Sequence, residues 1–294
     1  MITFRQHLVT LVAVFAALAV GVVLGGGPLS EVGRNEPAAA PSTTRSDDGL
    51  RASYGDEFAA RAAPALYGER LSGQQVALVT LAGADPEVVD GVVGQVEAAG
   101  AQVAARYDGR ERLTLPDDQG MADSLATRLV EDLELAETVP SDLPSHERVG
   151  RLVGRAIAST QAEGEEADAA AGTILEALRT GEMLDGPATA PGRVPLVLVV
   201  LGEDRDDPQA NALVAGLTEG LAAAAAGEVV VGTTASGEDG TLAQLRSEVE
   251  GVSTVDGGDT TVGQVSTVLA LAAALDGTTG AFGASGADGA VPVG

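Results

Sequence analysis

Eight consecutive residues, Val194 to Leu201 (VPLVLVVL), carry no polar side chain. A strand with one wet face alternates apolar with polar residues. A strand without alternation must be covered on both faces, the situation of a central strand in a parallel sheet. Parallel neighbours need long crossovers, usually helical. The rest of the sequence supplies both. Gln75–Leu81 (QVALVTL), Ala101–Tyr107, Glu228–Val231 and Val252–Val255 read as further strands. Pro86 suits a first helical turn, and Val88, Val89, Val92, Val93 and Val96 follow at helical spacing. Helices are also predicted around Leu125, Leu129, Val130 and Leu133; around Val149, Leu152, Val153, Ala156 and Ile157; and around Ile174, Leu175 and Leu178. Three more are expected over Pro208–Ala226, Thr241–Val249 and Val262–Leu275. Strand and helix alternate, which predicts an α/β fold: a Rossmann-like domain with a mainly parallel sheet and helices on both faces.

A second segment belongs outside that core. Leu8 to Gly27 (LVTLVAVFAALAVGVVLGGG) holds no charge, and at about 1.5 Å per residue it is long enough for a bilayer's hydrocarbon layer. Arg5 precedes it, so the N-terminus is expected in the cytoplasm and the remainder outside. The run exceeds the usual apolar stretch of a cleaved signal, and Ala38-Ala39-Ala40 is followed by Pro41, so an uncleaved signal anchor is predicted. Ala17, Gly21 and Gly25 form a small-residue stripe that suits helix pairing, which makes self-association an option. The predicted organisation is an anchor over 1–27, a flexible linker with a short helix over 28–70, an extracytoplasmic α/β domain over 71–276 and a disordered glycine-rich tail over 277–294. The short helix is expected near 55–68, interrupted or ended by Pro64.

Composition removes many chemistries. The chain has no Cys, and all 17 basic residues are Arg. Thiolate zinc sites, Cys nucleophiles, Schiff-base lysines and the P-loop lysine are therefore excluded. The formal charge of −26 repels nucleic-acid phosphates and anionic headgroups, so no nucleic-acid partner is expected. After the first strand, Leu81-Ala82-Gly83-Ala84-Asp85 offers one Gly where a dinucleotide fingerprint needs three, and no G-x-S-x-G elbow occurs. His146, in Pro144-Ser145-His146-Glu147, reads as a surface residue at a helix start with Ser145 as N-cap. The acidic run Glu203, Asp204, Asp206 and Asp207 follows the central strand, where α/β folds place ligands. Carboxylates there suit Mg²⁺ or Ca²⁺, but they equally suit a helix N-terminus. Asp256 and Asp259 read as a turn. No catalytic or cofactor-binding residue is assigned, and no metal ligand set is identified.

The N-terminal residues Met1–Phe15 (MITFRQHLVTLVAVF) with Gly21-Val22-Val23-Leu24-Gly25 resemble the opening of actinobacterial copper transporter proteins of the mycobacterial MctB type. Ser253-Thr254-Val255-Asp256, then Gly263, Val268–Leu271, Leu275, Gly277, Gly280 and Gly283 resemble that family's last strand, last helix and glycine-rich end. The resemblance implies a noncatalytic, membrane-anchored protein of copper transport or copper homeostasis in the envelope. The alternative it carries is an envelope scaffold or regulatory partner of cell-wall and cell-separation machinery. Relatives often carry His in the tail; Gly280 to Gly294 has none. Copper favours thiolate, thioether and imidazole, and three Met and two His are the whole soft inventory. Met121, Met183 and His146 are the ones within the predicted domain.

Overall fold

A computed structural model of the chain describes residues 42–187 and 189–292. The predicted anchor over 8–27 lies outside them, and among the described residues no helix is long and apolar enough to cross a membrane. The chain divides into two units, Met1–Ala52 and Ser53–Gly294. The second contains a seven-stranded sheet.

In chain order the elements are α1 (Ser42–Tyr67), β1 (Gln75–Thr80), α2 (Pro86–Ala98), β2 (Gln102–Gly109), α3 (Gln119–Asp132), α4 (Ser145–Ile157), α5 (Ala169–Thr180), β3 (Leu184–Asp185), β4 (Leu196–Val200), α6 (Pro208–Ala222), β5 (Gly227–Val231), α7 (Thr234–Glu238), α8 (Thr241–Glu248), β6 (Ser253–Val255), α9 (Thr261–Leu275) and β7 (Ala281–Phe282). Two 3₁₀ turns, Glu111–Leu113 and Pro116–Asp118, lead from β2 into α3. The strand order is β3-β2-β1-β4-β5-β6-β7, parallel throughout except for β3 against β2.

The unalternated run behaves as its composition demands. All five residues of β4 are buried. Val197 and Val199 enter one core with Ala77, Val79 and Val230, covered by α3, α4, α5, α6 and α8. Leu196, Leu198 and Val200 enter the other with Val76, Leu78, Val229 and Val231, covered by α1, α2 and α9. In the first layer α4 and α6 meet almost backbone to backbone, where a Cβ on Gly150 or Gly220 would overlap the facing helix.

Three features go beyond the sequence reading. First, α1 is one helix from Ser42 to Tyr67, longer than expected, with Pro64 inside it. Pro64 lies in the last turn, and the helix ends three residues beyond it. Ala59, Ala63 and Tyr67 fasten the helix to the core, and the Tyr67 hydroxyl donates to Gln95 Oε1 at 2.8 Å. Second, residues 281–282, inside the stretch expected to be disordered for its glycine content, pair with β6 as β7. Third, Glu228 on β5 is buried with neither carboxylate oxygen partnered among the described residues. It shares its face of the strand with Val230, and desolvation pushes its pKa well above the ordinary glutamate value of 4.5.

Two predictions follow from the layers. Leu198→Ala removes side-chain volume from one core and should cost about 2–5 kcal/mol. Val199→Ser leaves a hydroxyl in the other core and should also destabilise. Thermal melts of the two single variants check this; a neutral result at either position would contradict a doubly covered strand. For Glu228, the folded-state pKa lies above the unfolded one. The stability associated with its proton is therefore full below pH 4.5 and is lost as pH rises through the folded value. Glu228→Gln cannot ionise and should flatten the loss of melting temperature on the alkaline side. An unchanged slope would mean that other groups set it.

Candidate functional site

The strand order reverses direction between β1 and β4, since β2 follows β1 to one side while β5 and β6 follow β4 to the other. Open α/β sheets bind ligands in the crevice beyond the carboxyl ends at such a point. Here the crevice is shut. A Cβ on Gly202 would overlap the Ala82 carbonyl, and Gly83, at φ +82°, lies against the Glu203 backbone. The space left, lined by Leu81, Thr114, Leu201, Arg205 and Asn211 among others, is about 20 Å³. That is room for about one water molecule.

The acidic run after β4 is taken apart by the fold. Asp207 is the N-cap of α6 and accepts from Gln209 N at 2.9 Å and Ala210 N at 3.3 Å. Asp204 reaches across to accept from Ser236 Oγ at 2.5 Å and Thr241 N at 2.8 Å. It thereby caps α8, whose own N-cap residue, Gly240, has no side chain to do so. Buried Asn211 ties the same corner, donating to Arg205 O and Gln244 Oε1 and accepting from Thr241 Oγ1 at 3.0 Å. Glu203 and Asp206 remain exposed. Among the described residues no three His, Asp or Glu side chains gather into a group that could hold a metal ion.

Asp256 and Asp259 do more than make a turn. Asp256 is buried beyond β6 and pairs with Arg246 at 3.2 Å. It also accepts from Ala284 N at 2.6 Å, from Ser285 N at 2.9 Å and from the Ser285 hydroxyl. Arg246 adds donations to Phe282 O at 2.6 Å and Ser285 Oγ at 2.8 Å. The pair is a clamp on the C-terminal segment. Burial opposes the charge on Asp256, but bonds from Ser285, Ala284 and Arg246 outweigh it and hold the carboxyl below its ordinary range. Asp259 accepts from Thr234 N and Oγ1 at the start of α7.

The soft donors do not form one site in the described structure. His146 is buried, not exposed, and the residue in the N-cap place of α4 is Pro144, which gives no side-chain cap. The correction has a physical cause: α4 is packed between α3, α5 and α6, so even its first turn is covered. His146 Nε2 lies 2.9 Å from the Leu113 carbonyl. A carbonyl only accepts, so Nε2 carries the proton and Nδ1 is bare, without a partner among the described residues. Burial pushes the imidazole pKa below its ordinary 6.5 and so favours the neutral ring, partly offset by the bond to that carbonyl. Met183 is fully buried, and Met121 is exposed on α3 with its sulfur 4.0 Å from Arg112 Nη1.

One large concavity sits away from these sites. Helices α3 and α5 both pack on α4 and leave a groove of about 840 Å³ between them, lined by Met121, Leu125, Arg128, Gly172, Ala177 and their neighbours. Nothing in the sequence marked it, because neither wall has an unusual composition.

These features define an α/β domain whose sheet end is sealed by helix caps and close backbone contacts. The sequence matches the family described as "Copper transport outer membrane protein, MctB" over residues 1–293, and the chain belongs to that family. Its relatives include the copper transporter MctB of Mycobacterium bovis and that of Mycobacterium tuberculosis. Each is 28% identical over 294 aligned residues, which cover 92% of this chain and 92% of the relative.

The clamp yields a prediction. Asp256→Ala leaves Arg246 with a largely buried, unmatched charge and should cost about 3–5 kcal/mol. Hydrogen exchange should show the amides of Ala284 and Ser285 freed at neutral pH. In the unchanged protein the folded-state pKa of Asp256 is depressed. The clamp's stability is therefore present above pH 3.8 and lost as pH falls through the folded value. Protected tail amides in the variant would refute the clamp.

Proposed function

We propose that the chain is a membrane-anchored copper-homeostasis protein of the cell envelope. Its α/β domain lies outside the cytoplasm, is noncatalytic and holds no copper ion by itself. The observation that carries the copper reading is the match of nearly the whole chain to a copper-transport family. Two features support the indirect part of it. The crevice where this fold type usually binds ligands is closed, and the soft donors of the domain are divided between core and surface. The anchor is supported by the uncharged run over 8–27, with Arg5 before it setting the orientation.

A second reading, an envelope scaffold or regulatory partner, is favoured by α1. Tyr54, Phe58 and Leu66, at steps of four and eight, are 74%, 64% and 49% exposed, and Val262 adjoins them beside Gly55. The chain contains three Tyr and four Phe, and two of these seven aromatics lie on this outer ridge. Such a row suits a protein partner or a second copy.

Deleting the gene should raise copper sensitivity. The purified full chain should take no Cu(I) from a competing chelator at submicromolar affinity. A stoichiometric site in that titration, lost in Met121→Ala, Met183→Ala or His146→Ala, would overturn the indirect reading. A deletion that leaves copper tolerance intact but produces unseparated cells, reproduced by Phe58→Glu, would favour the scaffold.

A further inference from the structure

We propose that the groove between α3 and α5 binds a single-chain amphiphile with an anionic head, its chain lying along α5 and its head on Arg128. Nothing in the copper reading requires this, and the net charge of −26 that repels anionic surfaces in general is opposed here only locally, by Arg128. The groove is about 840 Å³, within the range of small-molecule sites. Its walls are mostly apolar or small, with Met121 and Leu125 on α3 and Ala169 and Ala177 on α5. Met121 is one of the few large apolar side chains that the described surface exposes. An unbranched thioether adapts readily to an irregular apolar guest. From Ala169 to Thr180 the wall runs about 17 Å at helical rise, the length of a medium to long acyl chain.

Two observations point to a ligand. The first is Gly172. It lies inside α5, in ordinary helical conformation, and a Cβ built on it would meet nothing within 4 Å. Glycine in a helix interior costs about 1 kcal/mol relative to alanine. Neither backbone geometry nor packing within the chain requires it here. Gly94 and Gly120 are helical glycines beside open space too, but Gly172 is the one of the three that lines the groove, where a guest would lie against the α5 backbone. At the other end the groove narrows, where Leu125 Cδ2 comes within 3.4 Å of the Cβ position of Gly181.

The second is Arg128. It has no ion pair and no hydrogen bond with any described residue, although the chain offers 43 carboxylates for 17 arginines. Most of its fellows are engaged: Arg106, Arg110, Arg148, Arg151, Arg155, Arg179, Arg193 and Arg246 all form ion pairs. The acid that shares the groove, Glu176, is paired with Arg179. The hydroxyls of Ser124 and Thr173 are turned back to the carbonyls of Gly120 and Ala169. Among the groove's lining residues Arg128 is thus the charged group left for a guest, with the Thr180 hydroxyl as a neutral one, and a guanidinium selects a carboxylate or phosphate head.

The test uses the full chain in lipid nanodiscs and a photoactivatable laurate with a diazirine near the end of its chain, with labelled residues mapped by peptide mass spectrometry. The wild-type chain should be labelled on the groove walls. Gly172→Leu fills the groove at a position with open space and improves helix propensity. It should abolish that labelling while labelling elsewhere persists. Arg128→Gln should weaken groove labelling by the laurate about five- to tenfold and leave labelling by the corresponding dodecanol probe unchanged. Absence of groove labelling in the wild-type chain, including absence because a partner helix already covers it, would overturn the proposal. So would equal labelling in Gly172→Leu. Indifference of Arg128→Gln to the head group would overturn the anionic class.

Discussion

The structure depends on the need to cover β4 twice. Its five buried residues alternate between two cores that never mix: Val197 and Val199 on one side, Leu196, Leu198 and Val200 on the other. Every helix either contributes to one of these covers or caps a neighbour that does. The cover over Val197 and Val199 is thick, built from five helices, and brings α4 and α6 to glycine-mediated contact. The opposite cover is thin and uses α1, α2 and α9. Glu228 is the exception within this arrangement, a carboxyl placed where the rule demands a hydrocarbon.

The charge of the chain is spent locally at the ends of helices. Asp85, Asp168 and Asp207 cap their own helices, while Asp204 and Asp56 reach across to cap α8 and α9. A helix start leaves several amide hydrogens without partners, and a carboxylate satisfies them while meeting a favourable dipole. Where a run of acids follows a strand, as after β4, this use competes with metal binding. Here the amides take Asp204 and Asp207. The result at the sheet's carboxyl end is rigidity in place of a binding crevice.

Much of the fold was legible in the sequence because its signals are long and periodic. The strands at Gln75, Gln102, Leu196 and Gly227 and the helices at Pro86, Pro208 and Thr261 fall within a few residues of where side-chain spacing puts them. The misses share a cause: they turn on contacts between residues distant in sequence. His146 looks like a surface residue beside Ser145 and Glu147, yet α4 is enclosed by helices that begin and end elsewhere. Glu228 sits near the start of a strand, where a charge is normally wet, yet it is buried in the fold. The short strands β3 and β7 have two residues each and no pattern to read. The groove between α3 and α5 is a gap between elements, and a gap has no sequence signature. Gly172 was visible as a glycine in a helix, but its meaning required the empty space beside it.

The clamp formed by Asp256 and Arg246 bears on how the molecule is assembled in time. Beyond β6, the sheet is finished by residues 281–282 and locked by Ala284 and Ser285, all of which leave the ribosome after β1–β6 and every helix described. Until they arrive, the outer side of β6, with Val255 at its end, is an unpaired edge, and Arg246 and Asp256 hold each other without their cargo. Exposed edges invite pairing with other chains. A chain made from its N-terminus therefore passes through an interval in which every large element exists but the border is open. The glycine-rich tail is the seal of the sheet, and the speed with which it docks sets how long that border is available to strangers.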